Sequence, residues 1–246
     1  ERNPYYWKVD TAGNQLPYIN KVIVTKVADK EMMDAKLITG DFDFGCLETR
    51  VENYSLYMEN AEKGHYRVLP WQSVHGSAVI YQVNQTSEDP ILRKIFQDVR
   101  FRRALSLAIN REEINNVIFY GLAEPRQYTV ISQSVYYEEE FAGAYAGYDP
   151  EEANRLLDEM GLKWDKNHEW RLRPDSKILS STLEYFLCET PKDKISELVK
   201  EYWEAIGFKI TIKQISGELQ RERAIANKIQ VGLWHGDVAT DWLFPA

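Results

Sequence analysis

Few side chains in this sequence are spaced for covalent or metal chemistry, and the best placed lie near its C-terminal end. Asp237 and Asp241 follow Trp234-His235-Gly236 closely. Two such carboxylates could share general-acid and general-base work on a glycan, but that requires one pKa raised by burial and a scissile bond held between them; spacing supplies neither. The four histidines, His65, His75, His168 and His235, lack the i, i+4 spacing or the neighbouring Cys, Asp or Glu of a metal site. Asp165, Asn167 and Glu169 alternate like the start of a calcium loop, without its central glycine and terminal glutamate. Cys46 and Cys188 form neither a CxxC pattern nor a disulfide framework. No metal and no cofactor is expected.

Composition points the same way, from catalysis toward binding. The chain has 246 residues, 44% hydrophobic, enough for a sizeable core in one large domain or parts of two. Its net charge is −8, with lysines and arginines scattered among acids, which argues against nucleic acid as a partner. Fifteen tyrosines and seven tryptophans suit proteins that grip ligands or sugars through flat faces, although core packing accounts for most of them. No apolar run of about twenty residues and no signal peptide is present. The termini, Glu1-Arg2-Asn3-Pro4 and Trp242-Leu243-Phe244-Pro245-Ala246, read as cuts in a longer chain.

The elements that would position these residues alternate between strand and helix. Residues 21–27, 41–45 and 66–71 read as strands around helices at 30–38 and 51–62, a βαβαβ order that implies a parallel or mixed sheet. Residues 75–85 form the next strand candidate. Phe101, Ala104, Leu105, Ala108 and Ile109 then recur at helical spacing, with Arg100, Arg102 and Arg103 on the polar side. Asn110 with Glu113 is the pattern of a capping box opening a second helix. Residues 124–148 are rich in Tyr, Ser and Gly and read as a long irregular excursion. Asp149-Pro150 starts another helix with the aspartate as cap. A polar hairpin-like stretch spans 164–178; strands follow at 179–187, 208–213 and 229–234, with helices at 191–206 and 219–226.

Five segments in this order resemble the family 5 extracellular solute-binding proteins, the oligopeptide and dipeptide binding group. Arg2-Asn3-Pro4-Tyr5-Tyr6-Trp7 is similar to RNPxYW, Gly40-Asp41-Phe42-Asp43 to G-[ED]-x-D, and Val99 to Glu113 to VRxALxxAIDRE. Tyr148-Asp149-Pro150-Glu151-Glu152-Ala153 to Gly161 is similar to YDPExAxxLLxEAG, and Trp203-Glu204-Ala205-Ile206-Gly207-Phe208 to WxxIGI. The resemblance implies an α/β class with a type II periplasmic-binding-protein-like fold, mixed sheets with flanking helices, and a chain about half of a full member. Residues 1–72 would be part of lobe one and 73–246 most of lobe two.

The resemblance also implies a role and a site. The role is the ligand-binding component of an ABC importer, extracytoplasmic in the periplasm or as a cell-surface lipoprotein, delivering a solute to permease subunits without turning it over. Trp234-His235-Gly236-Asp237 is similar to a Trp-x-x-Asp stretch whose carboxylate holds a peptide's α-amino group, and a desolvated ammonium needs such a fixed partner. Val74-His75-Gly76 resembles the crossover segment whose backbone pairs with an extended ligand. The residues after Asp237, Val238-Ala239-Thr240-Asp241-Trp242, depart from the peptide-binding pattern, so an oligosaccharide, with Asp241 bonding and Trp242 stacking, is the alternative ligand. A solute-sensing regulatory domain and a glycan hydrolase are the other readings.

Overall fold

A computed structural model describes residues 1–45, 49–187 and 191–236. Its centre is a mixed sheet of β1 (Ile80–Val83), β2 (Ser180–Tyr185), β3 (Lys209–Gln214) and β4 (Val231–Trp234), in the order β1-β4-β2-β3. β2 runs parallel to both β3 and β4, whereas β1 pairs antiparallel with β4, Ile80 opposite Trp234 and Val83 opposite Val231. Strand residues alternate between faces, so Leu183, Tyr185, Ile210, Val231 and Leu233 line one face and are buried in a single core. Gln82, Thr182, Glu184 and Gly232 fall on the other.

Helices cover the apolar face because their stripes match it. The chain forms α1 (Lys30–Ile38), α2 (Tyr54–Asn60), α3 (Pro90–Gln97), α4 (Val99–Leu107), α5 (Arg111–Ile118), α6 (Glu139–Gly143), α7 (Pro150–Glu159), α8 (Lys192–Ala205) and α9 (Gly217–Ile225). On α8, Ile195, Val199 and Trp203 recur every four residues and are buried. Trp203 donates its indole N–H to the carbonyl of Leu105 on α4 at 3.0 Å and meets the Tyr81 ring edge-on at 5.4 Å. Phe96, Phe101 and Phe208 complete an aromatic centre with ring separations of 5.4–6.5 Å.

Local chemistry starts the helices. Asp89, Asp98 and Asp149 cap α3, α4 and α7 by accepting backbone N–H groups, and proline opens α3 and α7 at the first turn. Asn110 caps α5 by accepting from Glu113 N at 3.1 Å. Arg100 pairs with Asp98, Arg102 donates to the Phe96 carbonyl, and Arg103 lies over the Tyr145 ring. These arginines are committed to helix ends and surface packing.

Three expected strands are not formed. Residues 21–27, 41–45 and 66–71 carry no strand pairing, and Val22, Ile23 and Val24 are 70%, 75% and 89% exposed. Alternation prepares a face, but a strand also needs a partner for its N–H and C=O groups, and among the described residues these segments make side-chain contacts, as between Phe44 and Trp71, without a ladder. The described residues of 1–72 therefore contribute only α1, the turn at 51–53, α2 and the Val9–Gln15 bridge as regular structure. α3 was not anticipated from periodicity, and the excursion at 124–148 contains the short α6. The stretch at 164–178 is held by isolated bridges, Trp164 to Arg171 and Leu172 to Ile178.

Candidate functional site

Sheet topology selects one edge of the molecule. Parallel strands β2 and β4 both end there, at Tyr185 and Trp234, and antiparallel β1 begins there at Ile80. In open α/β sheets the carboxyl ends of parallel strands leave a crevice, because the chain must turn away from the sheet at that point. β1 is also an outer strand, paired only with β4 among the described residues.

The two segments singled out in the sequence meet at this edge. Gly236 donates its N–H to the Ser77 carbonyl at 2.8 Å, which extends the β1–β4 ladder beyond its regular end and sets His75-Gly76 against His235-Gly236. The Nδ1 atoms of His75 and His235 both lie on the Gly236 carbonyl, at 2.9 and 2.8 Å, with ring centroids 4.3 Å apart. Both glycines are there because of close approach. A Cβ on Gly236 would come within 2.6 Å of the Tyr128 ring, and one on Gly76 would run into the Thr129 carbonyl oxygen. Val74 is exposed beside them. Asp237, Asp241 and Trp242, like Cys46 and Cys188, lie outside the described residues.

Other groups at this edge were not legible in advance. The Phe186, Trp234, His235 and His75 rings form a row with successive separations of 5.2, 4.6 and 4.3 Å. Lys192, at the start of α8, is buried with its ammonium 4.5 Å from the Trp234 ring and 5.1 Å from Phe186, in cation–π geometry. Nothing in a sequence announces that a lysine at a helix start will be covered by two aromatics. The high Tyr content of 124–148 was the available signal for Tyr128.

That excursion is tied to the helix pair behind it. Gln127 donates to Ser106 Oγ and to the Ala144 carbonyl, both at 3.0 Å, and Arg111 donates to the Ser106 and Ala146 carbonyls. Burial pushes the Arg111 guanidinium down to about 10. Val99 to Glu113 thus supports the site from behind, through the loop that Tyr128 belongs to.

A groove of about 710 Å³ opens between the polar face of the sheet and α9. Phe186 and Trp234 line it together with Gln82, Asn84, Gln220 and Arg221, a mixture of flat rings and amide hydrogen-bonding groups. Among the described residues no group of three or more His, Cys, Asp or Glu side chains is arranged to hold a metal. Asp165 accepts the backbone N–H groups of Asn167 and Glu169, and the bond from Glu169 leads those that lower its pKa, so its carboxylate closes a turn. No helix among the described residues is long and apolar enough to cross a membrane.

Residues 1–244 match the family described as bacterial extracellular solute-binding proteins, family 5 Middle. A periplasmic alpha-galactoside-binding protein of Rhizobium meliloti is 26% identical over 239 residues, covering 91% of this chain and 34% of that protein. The oligopeptide-binding protein OppA of Lactococcus lactis subsp. cremoris is 26% identical over 215 residues, covering 85% of this chain and 34% of that protein. A solved structure of an oligopeptide-binding protein OppA superposes with a TM-score of 0.74 at 45% identity, over all of this chain and 39% of that one. The chain thus spans about a third of the length of the curated relatives it matches.

Proposed function

Because this chain belongs to the bacterial extracellular solute-binding proteins of family 5, we propose that it is the ligand-binding part of an ABC importer receptor. It captures an oligopeptide or similar solute between two lobes outside the cytoplasm and passes it, chemically unchanged, to a membrane permease. Residues 1–72 belong to the first lobe and 73–246 to most of the second.

The observation that carries this reading is the convergence of residues 75–77 and 234–236 at the carboxyl edge of the sheet. An extended peptide laid along the side of outer strand β1 that no described strand pairs exchanges backbone hydrogen bonds there, and varied side chains are tolerated because the main chain supplies the affinity. Asp237, next in sequence to Gly236, supplies the carboxylate for the α-amino group. Trp234 and His235 wall the site.

A second reading takes an oligosaccharide as the ligand. The row of rings at Phe186, Trp234 and His235 and the amides of Gln82 and Gln220 favour it, since sugars offer apolar ring faces edged by hydroxyls.

Mass spectrometry of solutes co-purifying with the full-length protein, followed by calorimetry with the solute found, tests both. A co-purified peptide whose binding is lost in Asp237→Ala is the expected result. A bound sugar selects the second reading, and a full-length protein that binds neither class overturns the function.

A further inference from the structure

We propose that Tyr120 and Tyr54 form a clasp between residues 73–246 and residues 1–72, and that it sets how tightly the protein holds a solute without touching one. The inference rests on the receptor reading, in which the solute is held where these two stretches meet. Tyr120 stands just past the end of α5, and its hydroxyl donates to the Glu52 carbonyl in the turn at 51–53, at 3.0 Å. Its ring lies 6.3 Å from that of Tyr54, the first residue of α2, with the planes tilted by 38°. One side chain thus joins the stretches by a hydrogen bond and an aromatic contact.

The reach of Tyr120 is built into the backbone. It sits at φ 55°, in the left-handed region that a bulky side chain rarely adopts, and Gly121 follows at 75°. Buried Asn115 fixes this turn: its carbonyl accepts the N–H groups of Phe119 and Gly121, both at 3.0 Å, and its side-chain oxygen accepts that of Ala123 at 2.9 Å. Tyr120 is 47% exposed and so fills no core, which leaves the contact with Glu52 and Tyr54 as the purpose of the strained placement.

A second bond, from Gln133 Nε2–H to Gln72 Oε1 at 2.6 Å, lies where the chain crosses from one stretch to the other, and connectivity keeps that pair close. The bond from Tyr120 spans 68 positions and is made only when the stretches are together. Apparent affinity scales with the fraction of molecules in the binding arrangement, so a clasp that raises this fraction strengthens every solute by one common factor. Tyr120 is in this sense a positioning residue.

The test uses the full-length protein, with small-angle X-ray scattering before any solute is added and calorimetry with two peptides, penta-alanine and lysyl-tetra-alanine. Tyr120→Asn removes the ring but suits the left-handed turn, whereas Tyr120→Phe removes only the hydroxyl. Tyr120→Asn is expected to keep the parent thermal melt, to show a larger radius of gyration, and to weaken both peptides by one factor of about threefold or more. Tyr120→Phe should show a smaller common loss. Adding Tyr54→Ala to Tyr120→Asn should cost no more, because the two rings serve one contact. A parent-like radius of gyration in Tyr120→Asn overturns the clasp, as does unequal loss for the two peptides, which marks a ligand contact, or a lowered melt, which marks a folding role. A parent protein that binds neither peptide overturns the peptide reading, while scattering still decides the clasp.

Discussion

Arg223 on α9 grips Glu184 on β2 with two parallel hydrogen bonds, Nε–H to one carboxylate oxygen at 2.6 Å and Nη2–H to the other at 2.8 Å. Glu184 is buried on the polar face of the sheet, two residues before Phe186, and this pair ties α9 over the groove. Arg223→Ala would leave a buried carboxylate without its cation, at a cost of about 2–4 kcal/mol. Urea unfolding should show that loss, and Arg223→Lys should recover only part of it, because an ammonium cannot make the fork.

Arg171 is a stronger case of the same physics. Its side chain is fully buried and donates to the carbonyls of Ile206 and Leu162, to Asn154 Oδ1 at 2.7 Å and to Asp158 Oδ1 at 2.7 Å, with Trp164 stacked 4.8 Å away. It collects the Leu162 carbonyl just past α7 and the Ile206 carbonyl that follows the last turn of α8. Arg171→Met preserves volume but orphans those acceptors, and should cost about 3–5 kcal/mol in chemical denaturation.

Alkaline pH should act through Tyr57. Its hydroxyl donates at 2.5 Å to Asp34, which also holds Arg50 and Asn53, and so joins α1 to α2. Burial first, then the bond to that carboxylate, pushes the phenol up to about 12 from 10.0. The folded state thus favours the protonated form, so this contribution is whole below pH 10 and is lost as pH rises toward about 12. Tyr57→Phe should be less stable at neutral pH, yet lose less stability than the parent across that window in pH-stepped denaturation.

Gly76→Ala should displace the loop behind the site. The added methyl has no room against the Thr129 carbonyl and the Tyr128 ring, and overpacking of this kind costs about 1–3 kcal/mol. Limited proteolysis should cut residues 124–148 faster than in the parent. An unchanged digestion pattern would show that the strand moves instead.

The helices were readable because their information is local. Asn110 and Asp149 each cap bonds within three residues of themselves, and the stripe of α8 matches its buried face. Even here one detail belonged to tertiary structure: Asn110 caps α5 as its pattern implies, but the Glu113 carboxylate accepts the Tyr202 hydroxyl from α8 at 2.7 Å. Strands at 21–27, 41–45 and 66–71 were misread because pairing is long-range, and alternation carries no record of whether a partner is present.

At the site the division is similar. Sequence alone determined the family and the helices capped at Asn110 and Asp149, and it singled out the two short stretches at 74–76 and 234–236 as candidates, since residue types and their order suffice for these. Tertiary structure alone decided that those stretches share one carbonyl, that Phe186 and the buried Lys192 stand beside Trp234, and that Tyr128 closes the back. Such contacts join residues distant in sequence, 161 positions apart for His75 and Gly236, and only the order and direction of strands in the sheet bring them within reach.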